Sequence, residues 1–129
     1  SDLLINTDAH QTVEIAPDIV VVYRSLNGHE TDFIEQYVWE RFQGNLTRVM
    51  YELTRGLVAL TLSLTQMGAR TLVEHRKATS GVVDHTQFEK KWDQMMAYPS
   101  FLLEALDLNR TWFNERCADI LNLESVGNG

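Results

Sequence analysis

The chain has 129 residues, of which 44% are hydrophobic, 22% are charged and one is a cysteine. This is the length of a single domain that can bury a core without a disulfide framework, and the composition excludes collagen-like and largely disordered proteins. Eighteen acidic residues oppose eleven basic ones, and the net charge of −7 argues against nucleic acid as a partner and against docking on an anionic membrane.

The first fifteen residues show no helical stripe, and we expect residues 1–15 to form an N-terminal arm. Ala16-Pro17-Asp18 has the features of a helix start, because proline and aspartate both suit a first turn. Asn27-Gly28 would then form a left-handed C-cap. Residues 19–23 are also rich in β-branched side chains. The two end signals favour a helix, and a strand over residues 18–26 stays open.

The next segment predicts the central helix of the fold. Asp32 and Glu35 have the spacing of a capping box. Apolar residues then follow at alternating steps of four and three, which is typical of a helix with one packed seam: Leu46, Met50, Leu53, Leu57, Leu60, Leu64 and Met67. We expect one long helix, or two with a break at Gly44, ending near Arg76. Residues 60–65 also alternate as a strand would, but the heptad covers more of the chain.

Two further helices are predicted in the last third of the chain. Asp84 and Gln87 match a capping box at the start of the first one. Pro99 separates it from a last helix, which runs from Ser100 to about residue 123. Residues 124–129 are small and polar, which is typical of a flexible tail or the start of a linker.

Together these segments predict an all-α fold, a four- to five-helix bundle over residues 16–123 with one long central helix. A row of small residues beside the leucine seam gives that helix a second face for packing, so we expect a homodimer. In a two-fold dimer the central helices would pack on each other. The predicted interface consists of Met50, Leu53, Leu57, Leu60, Leu64 and Met67.

A ligand pocket is predicted from the aromatic residues. Trp39, Trp92 and Trp112 belong to three predicted helices and, with His75, are candidate lining residues for a small apolar or planar ligand. No Glu-x-x-His pair occurs, and no two of the four histidines share a helical spacing. We therefore predict no metal site and no cofactor, while axial contact of His75 with haem or another planar ligand stays open.

Arg70 and His75 form a loose Arg-x4-His pattern, which resembles the motif of HEPN-type ribonucleases, a class of helical bundles. The resemblance covers six residues. It implies that both side chains would align over the scissile phosphate in a dimer, and it gives RNA cleavage by Arg70 and His75 as an alternative function.

The absence of a nucleophile motif and of paired carboxylates leads us to predict a non-enzymatic regulatory, sensory or protein-interaction module. Its expected partners are a second copy of itself and another protein or a downstream output domain. A small assembly or structural subunit of a larger complex is a further alternative. No run of about 20 apolar residues is present, so we expect no membrane insertion and a cytoplasmic location.

Overall fold

A computed structural model describes residues 9–43, 45 and 47–111 and shows a mixed α/β fold. The strands are β1 His10–Ala16, β2 Ile19–Arg24, β3 Leu64–Met67 and β4 Arg70–Thr71. The helices are α1 Gly28–Phe42, α2 Arg48–Ser63, α3 His85–Met96 and α4, which covers residues 100–111. The strands form one antiparallel sheet in the order β1-β2-β3-β4. The predicted all-α bundle is therefore wrong.

A β-hairpin occupies the place where the first helix was expected. β1 and β2 pair with Val13 opposite Val21, and Asp18 has a φ of 68° in the turn that joins them. The β-branched run therefore decides the structure of this segment. Asn27 is the N-cap of α1, because its side chain accepts a hydrogen bond from the backbone of Glu30. The Asn-Gly signal thus begins a helix here instead of ending one.

The leucine seam is divided between a helix and a strand. α2 ends at Ser63, and the chain continues as β3, which pairs with β2. Gly68, with a φ of 60°, lies in the turn from β3 to β4. The prediction of a helix reaching Arg76 is wrong, and the alternation over residues 60–65 marks the transition. A break between α1 and α2 does occur where it was expected, although Gly44 itself lies outside the described residues.

Two hydrophobic clusters form the core, and the C-terminal half of α2 contributes to both. In the first cluster, the sheet packs against α2, α3 and α4, and the Tyr23 hydroxyl donates a hydrogen bond of 3.0 Å to the carbonyl of Leu106. In the second, α1 and α3 pack against the opposite side of α2, with the rings of Phe33 and Phe88 4.7 Å apart. Burying each large apolar side chain contributes roughly 1.5–3 kcal/mol.

The predictions for the last two helices are confirmed at the ends that the structure describes. Asp84 is the N-cap of α3 and accepts from the backbone of Gln87, and α3 ends before Pro99. The domain boundaries at residues 15 and 123 stay predictions, and the predicted tail lies outside the described residues. Among the described helices, none has the length and apolar character needed to cross a membrane.

Candidate functional site

Six charged or titratable side chains meet between β2, α1, α3 and the segment 72–84 that connects β4 with α3. We call this group the charged cluster, and its members are Arg24, Glu30, Glu74, His75, Arg76 and Lys91. Glu30 and His75 are fully buried, and Lys91 is 1% exposed. Charged side chains are almost never buried to this extent unless they are paired.

Glu30 lies at the centre of the charged cluster because the start of α1 holds it there. Its Oε1 atom accepts from the backbone of Asn27 at 2.9 Å and from Arg76 Nη2 at 2.6 Å, while its Oε2 atom contacts His75 Nε2. Burial acts to raise the pKa of Glu30, but the hydrogen bonds from His75, Arg76 and Asn27 outweigh it and lower the pKa to about 2. Glu30 is therefore a carboxylate at neutral pH.

His75 connects Glu30 to Lys91. Lys91 Nζ lies 3.3 Å from His75 Nδ1, on the opposite side of the ring from Glu30. Burial, reinforced by the charge of Arg24, lowers the pKa of Lys91 to about 7. Burial also lowers the pKa of His75, and the nearby Lys91 acts in the same direction, while the hydrogen bond to Glu30 opposes both. Glu30, His75 and Lys91 thus form a buried hydrogen-bonded chain in which burial lowers the pKa values of both His75 and Lys91.

A second ion pair links the charged cluster to the sheet. Both terminal nitrogens of Arg24 donate to the Glu74 carboxylate, at 2.9 and 3.0 Å, and Ser63 Oγ donates to the Arg24 carbonyl at 2.8 Å. Burial acts to raise the pKa of Glu74, but the hydrogen bonds from Arg24 and from the Arg76 backbone, together with the nearby positive charge, outweigh it and lower the pKa to about 2. The Nε atom of Arg24 is buried and has no hydrogen-bond partner within the described part of the chain.

An apolar surface lies elsewhere on the molecule. Exposed large apolar side chains occur on the N-terminal half of α2, on α4 and at the β1–β2 turn. Val49 and Leu53 are 68% and 57% exposed, and Phe101 and Leu108 are 73% and 74% exposed. We call this region the apolar surface and define it by Ile19, Val49, Met50, Leu53, Phe101 and Leu108.

Two grooves run along the two sides of α4 and join the parts of the apolar surface. The groove between α2 and α4 has a volume of about 240 Å³ and includes Met50, Leu53 and Leu57. The groove between the β1–β2 hairpin and α4 has a volume of about 570 Å³ and includes Ile19 and Phe101. Exposed apolar side chains grouped beside grooves are typical of interaction sites.

The predicted ligand pocket is not assembled. Trp39 is exposed on α1, whereas Trp92 is buried on α3 among the aromatic rings of the second core cluster. His75 is buried in the charged cluster, and Trp112 lies outside the described residues. The structure therefore does not bring Trp39, Trp92 and His75 around one cavity.

The predicted dimer interface divides between core and surface. Leu60, Leu64 and Met67 are buried inside the single chain and cannot reach a partner without unfolding. Met50 and Leu53 are exposed, and the partly buried Leu57 packs against both core clusters. Only the N-terminal end of the predicted seam is therefore available for association.

Arg70 and His75, the pair that resembles the ribonuclease motif, differ in their exposure to solvent. Arg70 is exposed on β4, whereas His75 is fully buried and held by Glu30 and Lys91. Arg70 belongs to a strand and His75 to segment 72–84, so neither residue lies on a helix. Neither placement favours alignment over a phosphate.

Sequence reasoning missed Glu30 and Lys91, although a signal was present for both. Lys91 has helical spacing from Phe88 and Met95, so it occupies a position on the buried face of its helix. Glu30 has the same relation to Phe33 and Tyr37 on α1. A charged residue within an apolar stripe predicts a buried polar contact, because the face must be buried and the charge must be paired.

Comparison of the chain with protein-family models, with curated proteins and with solved structures gives no match. Within residues 9–43, 45 and 47–111, no group of three or more histidine, cysteine, aspartate or glutamate side chains could hold a metal ion. The function therefore has to be argued from the charged cluster and the apolar surface alone.

Proposed function

We propose that this protein is a non-enzymatic interaction module that forms a homodimer through the apolar surface on α2 and α4. The observation that carries the proposal is the location of the exposed large apolar side chains. Six of the eight in the described residues belong to the apolar surface, and the other two are Trp39 and Met96. Scattered apolar side chains need no explanation, but a group beside two grooves indicates a surface that is covered in the functional state.

The charges around the apolar surface favour a second copy of the chain as the partner. Arg48 and Glu52 are exposed on α2, and Glu104 is exposed beside the groove on α4. A rim with both signs can pair with itself when a two-fold axis brings opposite charges together. A strongly basic or strongly acidic partner would meet like charges on part of this rim.

The charged cluster supports a non-enzymatic role. Its three best candidates for acid–base chemistry are Glu30, His75 and Lys91, and all three are buried. A general acid or base must come within hydrogen-bonding reach of its substrate, and these side chains already use their reach on each other. The accessible part of the molecule that stands out is instead the apolar surface.

The test is the oligomeric state of a variant with Leu53→Glu and Phe101→Glu. We expect the wild-type chain to sediment as a dimer at micromolar concentration and the variant to sediment as a folded monomer. Both side chains are exposed, so their replacement removes no core packing. Analytical ultracentrifugation over a range of concentrations measures the association directly.

Trp39→Glu is the matched control, because Trp39 is also a large exposed apolar residue but lies on α1 outside the apolar surface. It should leave the dimer intact. A wild-type chain that stays monomeric would contradict the proposal. The proposal would also be contradicted if Trp39→Glu dissociated the dimer while the Leu53→Glu, Phe101→Glu double variant left it intact.

A further inference from the structure

We infer that Glu30, His75 and Lys91 form a pH switch that holds segment 72–84 against α1 and α3 and releases it when a second proton enters the charged cluster. The inference does not depend on the proposed dimer, because none of the three residues belongs to the apolar surface.

The geometry of the hydrogen-bonded chain allows either His75 or Lys91, but not both, to be positively charged. A protonated Lys91 can only donate, so His75 Nδ1 must accept across the 3.3 Å contact. The imidazole proton is then on Nε2 and is donated to the Glu30 carboxylate. If His75 gained a second proton, its Nδ1–H would point directly at the Lys91 ammonium group. Two donors would then face each other inside the protein, with no acceptor between them.

The other charges around the pair do not compensate for a second proton. β2 contributes Arg24, α1 contributes Glu30, and segment 72–84 contributes Glu74 and Arg76 around His75, while α3 contributes Lys91 itself. α2 contributes the uncharged Ser63. The two arginines and the two glutamates cancel, so the cluster carries one positive charge when either His75 or Lys91 is protonated and two when both are.

An uncompensated buried charge is relieved by opening, and segment 72–84 is the element whose contacts would be lost. The amide of Val73 donates to Gln94 Oε1 on α3 at 2.9 Å, and Asn27 Nδ2 at the start of α1 donates to the carbonyl of Gly81 at 3.0 Å. Release of the segment would expose Val83, which packs in the second core cluster. Acidification would therefore uncover new apolar area near α1.

The first test is an NMR titration of His75 in the wild-type chain and in Lys91→Met. Methionine keeps the length and burial of the side chain but removes the charge, so the titration midpoint of His75 should move to higher pH. His29 is exposed at the start of α1, outside the charged cluster, and its signals serve as the reference. Coincident His75 midpoints in the two proteins would overturn the inference.

The second test uses the wild-type chain alone and stays decisive if the variant does not fold. Hydrogen exchange is measured above and below the ordinary histidine pKa of 6.5 and corrected for intrinsic rates. Acidification should reduce protection at the amide of Val73, which donates to Gln94 on α3, while Leu60 in α2 stays protected. Equal loss of protection at both amides, or no loss at Val73, would overturn the inference.

Discussion

The charged cluster and the apolar surface belong to one small fold, yet each places its side chains contrary to their solvation preference. Glu30 and Lys91 are buried although both carry ionisable groups, and Leu53 and Phe101 are exposed although both are apolar. Burial of the cluster is possible because each ionisable group either pairs with an opposite charge or has a pKa that favours its neutral form. The apolar surface has no such compensation within the described residues, and the proposed dimer would remove part of it from water. The charged cluster therefore concerns contacts inside the chain, whereas the apolar surface concerns the proposed association.

The largest effect should come from removing the acceptor at the centre of the charged cluster. Glu30→Ala takes away the carboxylate that accepts from Asn27, His75 and Arg76, and breaking a buried pair in this way costs about 3–5 kcal/mol of unfolding free energy. Glu35→Ala is the control on the same helix. Glu35 accepts from Arg55 Nε at 2.6 Å, but both side chains are about half exposed, so its loss should cost at most about 1 kcal/mol.

Urea denaturation of the two variants measures this difference. If Glu30→Ala and Glu35→Ala lost the same stability, burial would not be what distinguishes the charged cluster from an ordinary surface ion pair.

A second comparison can be made within α2, whose two halves have opposite environments. Leu60 is fully buried, and Leu60→Ala should lower the unfolding free energy by about 2–5 kcal/mol. Leu53 lies about two turns earlier and is exposed, so Leu53→Ala should change the free energy of unfolding by less than about 0.5 kcal/mol when the chain is monomeric. Thermal and urea unfolding at low protein concentration test both variants. A large loss for Leu53→Ala under those conditions would place that side chain in the core rather than on the apolar surface.

The third effect is a rise in the free energy of unfolding with pH. The pKa of Lys91 is about 7 in the folded chain, against an ordinary value of 10.5. Between these two pH values the unfolded chain binds more protons than the folded chain, because Lys91 is protonated only when it is exposed to water. The free energy of unfolding therefore increases as the pH rises. The recovery from pH 7 to about pH 10 should be roughly 2–4 kcal/mol.

The difference between wild type and Lys91→Met isolates this contribution from those of the other titrating groups. The free energy of unfolding of Lys91→Met relative to that of wild type should therefore fall as the pH rises from 7 to about 10. A difference that does not vary with pH would show that Lys91 keeps an ordinary pKa in the folded chain.

The local signals in the sequence were sound, but several of them admitted two structures. Asn27-Gly28 suits both ends of a helix, and the choice depended on whether residues 19–23 were a helix or a strand. That choice was settled by a partner, because β2 pairs with β1 on one side and with β3 on the other. β3 is more than forty residues away in the sequence, so its pairing could not be deduced from local spacing.

The heptad pattern failed for a related reason. Leu60 and Leu64 are both buried as the pattern predicts, but Leu60 is on a helix and Leu64 is on a strand. A pattern of buried positions does not distinguish helical spacing from the alternation of a strand when a helix continues directly into a strand. For the site, the sequence identified His75 but not its partners, because the contact with Glu30 depends on tertiary structure. Lys91 could have been recognised from its place in the apolar stripe of α3.

The long span of the contacts in the charged cluster has a consequence for the order of folding. His75 meets Glu30 across 45 residues, and Glu74 meets Arg24 across 50. The β1–β2 hairpin needs only a tight turn, so it can form before a loop of that size has closed. Until closure, Lys91 is hydrated and keeps its proton at neutral pH. The last stage of folding should therefore release protons to the solvent, and a pH indicator in a stopped-flow refolding experiment would record that release as a step later than hairpin formation.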